Sequence, residues 1–234
     1  DVNATDADGD TLAYSISGGA DQSKFSIDSS SGLLTFVSAP DLESPTDQGG
    51  DNVYEVTVRA SDGSLHAEQT LAVSLKNVNE APFISSDGAG ALASVNMVEY
   101  KSIVTMVVGV DVDDGTTLAF SLAGGEDQSL FSINSSTGQL AFDSSPDYEN
   151  PTDQGGDNVY EVTVRVSDGS LHDDQTISVN VTNFNEFPPV ITSGGGGINA
   201  SVNVFENETL VTEVNASDDD HEALTYSISG GVDQ

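Results

Sequence analysis

Val53-Tyr54-Glu55-Val56-Thr57-Val58-Arg59-Ala60-Ser61-Asp62-Gly63 alternates apolar and polar residues and ends on an Asp-Gly turn pair. Alternation with a period of two marks a strand with one face in a core and the other in water. The same stretch returns from Val159 to Gly169, with Val166 in place of Ala60. Around it, the block from Asp41 to His66 recurs almost letter for letter from Asp147 to His172. Asp21-Gln22 recurs as Asp127-Gln128 and again as Asp233-Gln234, at a constant spacing of 106 residues. One unit is therefore repeated. Residues 1–81 read as a repeat lacking its first strand, 82–187 as a complete repeat, and 188–234 as the opening of a third. Because it starts and stops in mid-pattern, the chain reads as an excerpt of a longer protein.

Shorter alternating runs fill the rest of each unit: Leu12-Tyr14-Ile16, Phe25-Ile27, Leu34-Phe36 and Leu71-Val73-Leu75 in the first, with counterparts at Leu118-Phe120-Leu122, Phe131-Ile133, Leu140-Phe142 and Ile177-Val179-Val181. Gly18-Gly19, Ser31-Gly32 and Gly49-Gly50 punctuate them where turns need a positive φ. About seven short strands per unit, with almost no helical periodicity, predict an all-β chain of tandem seven-stranded Greek-key β-sandwiches.

The chain carries 39 acidic residues against five Lys and Arg, a net charge of -34. That surface repels nucleic acid and anionic membranes and favours cations. There is no cysteine, hence no disulfide and no thiolate metal site. No apolar run approaches the roughly 20 residues a membrane helix needs, so direct membrane insertion is not expected.

A carboxylate coat would ignore motif boundaries, but many of these acids recur in fixed company. Each unit offers a Glu after the first strand (Glu99, Glu206) and an Asp-x-Asp after the second (Asp6 and Asp8; Asp111 and Asp113; Asp218 and Asp220). It also offers an Asp-x-Glu after a proline (Asp41 and Glu43; Asp147 and Glu149) and an Asp-Gly closing the long strand (Asp62, Asp168). Asn77-Val78-Asn79-Glu80-Ala81-Pro82 and Asn183-Phe184-Asn185-Glu186-Phe187-Pro188 join one unit to the next. Calcium takes six to eight oxygens from carboxylates, amides and carbonyls, and these clusters supply that donor set. On an extended segment the spacing of two in Asp-x-Asp places both carboxylates on one side, able to share an ion. Neither an EF-hand loop nor a calcium-binding nonapeptide repeat is present.

Phe25-Ser26-Ile27-Asp28 leading to Ser31-Gly32-Leu33, Asp41-Leu42-Glu43 and Asp147-Tyr148-Glu149, the Asp-x-Asp pairs, Ala60-Ser61-Asp62-Gly63 and the Asn-x-Asn-Glu joints together resemble cadherin repeats, specifically the cadherin-like tandem repeats of large bacterial surface and secreted adhesins. The resemblance implies β-sandwiches joined end to end by calcium-binding linkers. Carried over, the first joint uses Asp41, Glu43, Asn77, Asn79 and Glu80 with Asp111, Asp113 and Asp168. The second uses Glu99, Asp147, Glu149, Asn183, Asn185 and Glu186 with Asp218 and Asp220. The chain departs from the family where Asn77 and Asn183 stand for Asp, where Glu80 and Glu186 replace Asp, and where repeat two has one extra residue before Leu118.

Remaining features read more plainly. The Asp47-Gln48-Gly49-Gly50-Asp51-Asn52 loop reads as a long turn before a second ion site. His66 and His172 read as surface or turn residues, His221 beside Asp220 as incidental, and Arg59 and Arg165 as partners of neighbouring acids. The function expected is a calcium-dependent, non-catalytic extracellular adhesion or spacer module. Partners expected besides calcium are a second copy, through end-to-end strand complementation or homophilic contact, and a polysaccharide or cell-surface ligand. The alternative is a carbohydrate-binding module, against which stands a chain with no Trp and with most Tyr and Phe at inward positions.

Overall fold

The computed structural model describes residues 2–231; Asp233-Gln234, the third copy of the repeat marker, lies outside them. Two compact units emerge, one of Asp1–Glu80 with Val112–Gly115 and one of Ala81–Asp111 with Thr116–Gln234.

The first unit holds β1 (Ala13–Gly18), β2 (Phe25–Ile27), β3 (Leu34–Phe36), β4 (Val53–Ser61) and β5 (His66–Ser74). The sheet order is β1-β4-β5, facing a β2-β3 pair. Tyr54, Val56 and Val58, the inward positions of the deciding stretch, are buried. Phe36 stands edge-on to Tyr54 at 5.2 Å between ring centroids and stacks on Phe25 at 4.6 Å.

In the second unit the full set appears: β6 (Phe83–Ile84), β7 (Leu92–Val98), β8 (Ile103–Met106), β9 (Gly109–Val110), β10 (Ala119–Gly124), β11 (Phe131–Ile133), β12 (Gln139–Phe142), β13 (Val159–Ser167) and β14 (His172–Thr182). One sheet runs β10-β13-β14-β7, another β11-β12-β8, with β6 paired to β9. Counting β6 with β7 and β8 with β9 as single broken strands gives the expected seven. β7 lies parallel to β14, from Leu92 opposite Thr176 to Val98 opposite Thr182. With that cover, Ile177 and Val179 on β14 join Tyr160, Val162, Val164 and Val166 in a core of fully buried side chains. A short pair of β15 (Val190–Ile191) and β16 (Ala216–Ser217) follows.

Gly125 shows why the loop leaving β10 needs glycine. Its φ is +104°, and a Cβ there would sit 2.4 Å from the Glu161 carbonyl oxygen. The close approach lets Asp127 N–H reach that same oxygen at 3.1 Å, anchoring the loop to β13.

Candidate metal centres

The strand ends and joints gather the acids into three groups, each of three carboxylates with oxygens within 4.8 Å of one another: Glu43, Glu80 and Asp113; Glu99, Asp147 and Glu149; and Glu149, Glu186 and Asp220. The first lies in the first unit and the other two in the second.

In the first group Asp113 is the hub. Its carboxylate accepts from Asn77 Nδ2 at 2.7 Å and from Glu80 N–H at 2.9 Å. An aspartate at position 77 would add repulsion where the amide donates, which gives the departure from the family pattern a physical sense. A cavity of about 320 Å³ opens here, lined by Leu42, Glu43, Asn77, Val112 and Asp114. Desolvation, then repulsion from Asp41 and Asp113, pushes the Glu43 carboxyl above its usual value. Desolvation, then Glu43 and Asp113, does the same to Glu80, whose Oε2 is buried with no donor among the described residues.

The second unit packs its acids more tightly. Glu99 is 1% exposed, at the end of β7, and bridges two backbones: Oε2 accepts from Tyr148 N–H at 2.7 Å and Oε1 from Phe184 N–H at 2.8 Å. Glu149 belongs to both groups, and neither of its buried carboxylate oxygens meets a donor among the described residues. Glu186 Oε2, Asp220 Oδ1 and Asn183 Oδ1 share that condition. Desolvation, reinforced by Glu99, Glu186 and Asp220, drives the Glu149 carboxyl up. Asp220 is 2% exposed and accepts from Phe187 N–H at 2.8 Å. Asn183 Nδ2 donates to the Asp220 carbonyl at 2.7 Å.

Buried acceptors that face like charges without donors are costly, and a cation supplies what they lack. The donor set is all oxygen, with no His or Cys in any of the three groups. That suits a hard cation of the calcium type and not zinc. The residues present therefore fit the group that the sequence implied.

The other named residues, and Asp147 of the second group, make contacts of their own. Asp41 Oδ1 accepts from Glu43 N–H at 3.0 Å, and Asp147 Oδ1 from Asn150 N–H at 3.2 Å. Asn79 Nδ2 donates to the Glu80 carbonyl, and Asn185 Nδ2 to Glu222 Oε2. Asp62 and Asp168 each cap their own turn, accepting from Ser64 and Leu65 and from Ser170 and Leu171. Asp6 and Asp62 line one cavity of about 160 Å³. Asp8 and Glu206 are exposed, and Asp111 is half-buried just before the Val112–Gly115 segment.

The Asp-x-Asp segments are turns and not extended. Asp6 Oδ1 takes the N–H groups of Asp8 and Asp10, and Asp218 Oδ1 takes Asp220 N–H at 3.0 Å. A short carboxylate side chain competes for nearby backbone donors and closes an Asx turn. In the last pair the leading Asp shapes the loop and the second enters the group.

Two residues had no signal in the sequence. Tyr100, at φ +58°, donates its hydroxyl to Glu186 Oε1. That bond, with desolvation and the charges of Asp147, Glu186 and Glu99, raises its phenol pKa. Glu222 meets Asn185 from a position no motif marks. The Asp47 loop is a turn, as its composition indicated. Burial raises the Asp47 carboxyl, but the N–H groups of Asp51, Asn52 and Gly50 and its own outweigh that and hold it low.

No family profile matches the chain. The Fat-like cadherin-related tumor suppressor homolog of Drosophila melanogaster is 28% identical over 246 residues, covering 99% of this chain and 5% of that protein. Protocadherin Fat 2 of Rattus norvegicus is 30% identical over 236 residues, covering 94% of this chain and 5% of its own length. The chain thus spans about one-twentieth of the curated relatives it matches. The crystal structure of human CDH23 EC21-23 superposes with a TM-score of 0.58 at 19% identity, covering 93% of this chain and 77% of that one. With the sandwich topology, these likenesses show a cadherin-like β-sandwich fold and support a cadherin-like repeat.

Proposed function

We propose that this chain is a calcium-dependent, non-catalytic adhesion or spacer module of an extracellular or cell-surface protein, stiffened by ions held where successive repeats join. The observation that carries the reading is Glu149. Both of its carboxylate oxygens are buried and meet no donor among the described residues, among the oxygens of Glu99, Asp147, Glu186 and Asp220. The repeats are taken as residues 1–81, 82–187 and 188–234. The ligand sets are those named for the two joints, with Asp6, Asp8 and Asp62 heading repeat one and Glu206 repeat three.

Calcium contributes opposite charge and replaces the missing donors, and the chain's own residues do the rest. Glu99 ties the Asp-x-Glu loop and the joint to the end of β7, so ions held there restrain both. At a hundredfold excess over Kd, each site stabilises the bound state by about 2.7 kcal/mol. Thermal melting with small-angle scattering, in millimolar calcium and then in excess chelator, tests the reading. A higher melting temperature and a stiffer, more extended particle are expected with calcium. Identical melts and identical scattering would defeat it.

The bacterial adhesin parent suggested by the motifs forms part of this proposal; the relatives compared are animal proteins. So does self-association. End-to-end complementation has its precedent in the parallel pairing of β7 with β14, since Ala200-Ser201-Val202-Asn203 repeats Ala93-Ser94-Val95-Asn96. Homophilic contact is supported by an outward apolar stripe on the second unit, where Met106, Val108, Val110 and Phe83 are exposed. The first unit has Asn3 and Thr5 where the second has Val108 and Val110. On so acidic a surface, uncharged faces let two copies meet without apposing carboxylates. Sedimentation that shows one monomer mass at every concentration would reject both routes. A polysaccharide ligand ranks below: Phe25, Tyr54, Phe131, Phe142 and Tyr160 are buried, and the exposed Tyr100 and Phe184 lie beside the acid groups, with the Tyr100 hydroxyl on Glu186 and the Phe184 N–H on Glu99.

A further inference from the structure

The Gly-Gly-Asp-Asn loop between the Asp-x-Glu segment and the long strand holds no group of three carboxylates among the described residues, yet it is built with care twice over. In the second unit Asp127, 5% exposed, accepts from Gln154 N–H at 2.7 Å and Glu161 N–H at 2.8 Å. Asp153, 7% exposed, accepts from Asp157 and Asn158 N–H, both at 3.0 Å. These bonds present Asn158 at φ +65°, with its Nδ2 donating to the Tyr148 carbonyl at 2.9 Å. The first unit repeats the arrangement: Asp21 holds Gln48 and Glu55, Asp47 holds Asp51 and Asn52, and Asn52, at φ +62°, donates to the Leu42 carbonyl at 2.7 Å.

If the loop needed only a left-handed backbone, a third glycine would serve at lower strain. Each Asn also leaves its Oδ1 buried with no donor among the described residues, a cost borne on the amide's other side. What the amide secures is the donor aimed back at one carbonyl. That carbonyl belongs to the middle residue of Asp41-Leu42-Glu43 or Asp147-Tyr148-Glu149, and contact with backbone explains why Leu and Tyr both serve there. In the second unit the Tyr148 N–H is held by Glu99 as well, so this peptide is gripped on both sides.

We propose that Asn52 and Asn158 are positioning residues for the metal centres, clamping the Asp-x-Glu peptide so that Glu43 and Glu149 are aimed before any ion arrives. The inference rests on the calcium reading above and extends it to residues that touch no ion. Pre-organisation of this kind raises affinity without adding a ligand.

The test uses the whole chain with N158G and N158A, by calcium titration and by hydrogen exchange at the Tyr148 amide in chelator. Glycine keeps the backbone conformation and alanine strains it, while both remove the donor. A clamp predicts that both variants weaken calcium at the second joint by roughly 3- to 10-fold, the worth of one hydrogen bond, and speed Tyr148 exchange. N52G should weaken only the first joint. Unchanged affinity in N158G, with loss only in N158A, would mean that the backbone conformation matters and the clamp does not, and would overturn the proposal. If the unaltered chain takes up no calcium, the calcium reading fails by itself. Tyr148 exchange in chelator then decides the clamp, faster exchange in N158G supporting it and equal exchange rejecting it.

Discussion

Glu149 and Glu43 occupy the same place in two near-identical copies of one sequence block, yet their surroundings differ. Glu149 is half-buried and shared by two carboxylate groups, whereas Glu43 is exposed and belongs to one. The residue that separates the two cases is Glu99, which grips Tyr148 N–H and Phe184 N–H from the end of β7. Among the described residues of the first unit no side chain plays that part for Leu42 and Val78. In the second unit Glu99 thus adds what the Asp-x-Glu letters alone do not, fixing the backbone at Tyr148 and Phe184 on either side of the carboxylate groups.

Exchanging the two glutamates for glutamine tests this comparison most severely. Glu149→Gln should abolish tight calcium binding in the second unit, exceeding the 10- to 100-fold losses typical of outer-shell partners. Glu43→Gln should cost less, because an exposed site has water to substitute. Calorimetric titration of each variant measures both effects, and equal losses would erase the distinction drawn from burial.

Glu99 offers the next largest effect and shows where structure added to sequence. Its carboxylate accepts two backbone hydrogen bonds, each worth roughly 1.5–3 kcal/mol when the acceptor is charged. Glu99→Ala should lower stability in chelator by several kcal/mol, read by denaturant unfolding. Loss only in calcium would leave Glu99 its place as a ligand and remove its role as a brace. The sequence disclosed Glu99 as a recurring acid after a strand, and the strands themselves through their period of two. It did not disclose that β7 runs parallel to β14, because the choice of partner strand is a tertiary matter that alternation cannot encode. It misread Asp-x-Asp as extended because side-chain capping of nearby N–H groups overrides strand geometry at Asp6 and Asp218. Tyr100 and Glu222 were invisible, since each acts on a residue far away in the chain.

Proton binding sharpens the same contrast. Glu43, Glu80 and Glu149 have carboxyls raised above the ordinary 4.5. Without calcium the folded chain then binds protons more tightly than the unfolded chain, so these groups destabilise it as pH rises through their folded values. Acidifying in chelator through the range just above the ordinary carboxylate value should raise the melting temperature. In calcium the same change should lower it, because protonation releases the ion. Below the ordinary carboxylate range both curves should fall, as Asp28, Asp47, Asp62, Glu68 and Asp174 are held low and lose their contribution on protonation. Parallel curves with and without calcium would remove the raised glutamates from the centres.

The smallest effect belongs to a pair that differs between the units for another reason. Arg165 meets Asp174 with two nitrogens on two oxygens, at 2.7 and 2.8 Å, while Arg59 places Nε and Nη2 on the single Oε1 of Glu68. Parallel, two-point contacts are the stronger geometry, but these side chains remain 35–41% exposed, where screening leaves about 0–1 kcal/mol. A double-mutant cycle on Arg165 and Asp174 should therefore give a coupling larger than that on Arg59 and Glu68, yet below about 1 kcal/mol. Both should shrink with added salt. Such a result would leave the contrast between Glu149 and Glu43 to the carboxylates around them, since neither surface pair is strong enough to account for it.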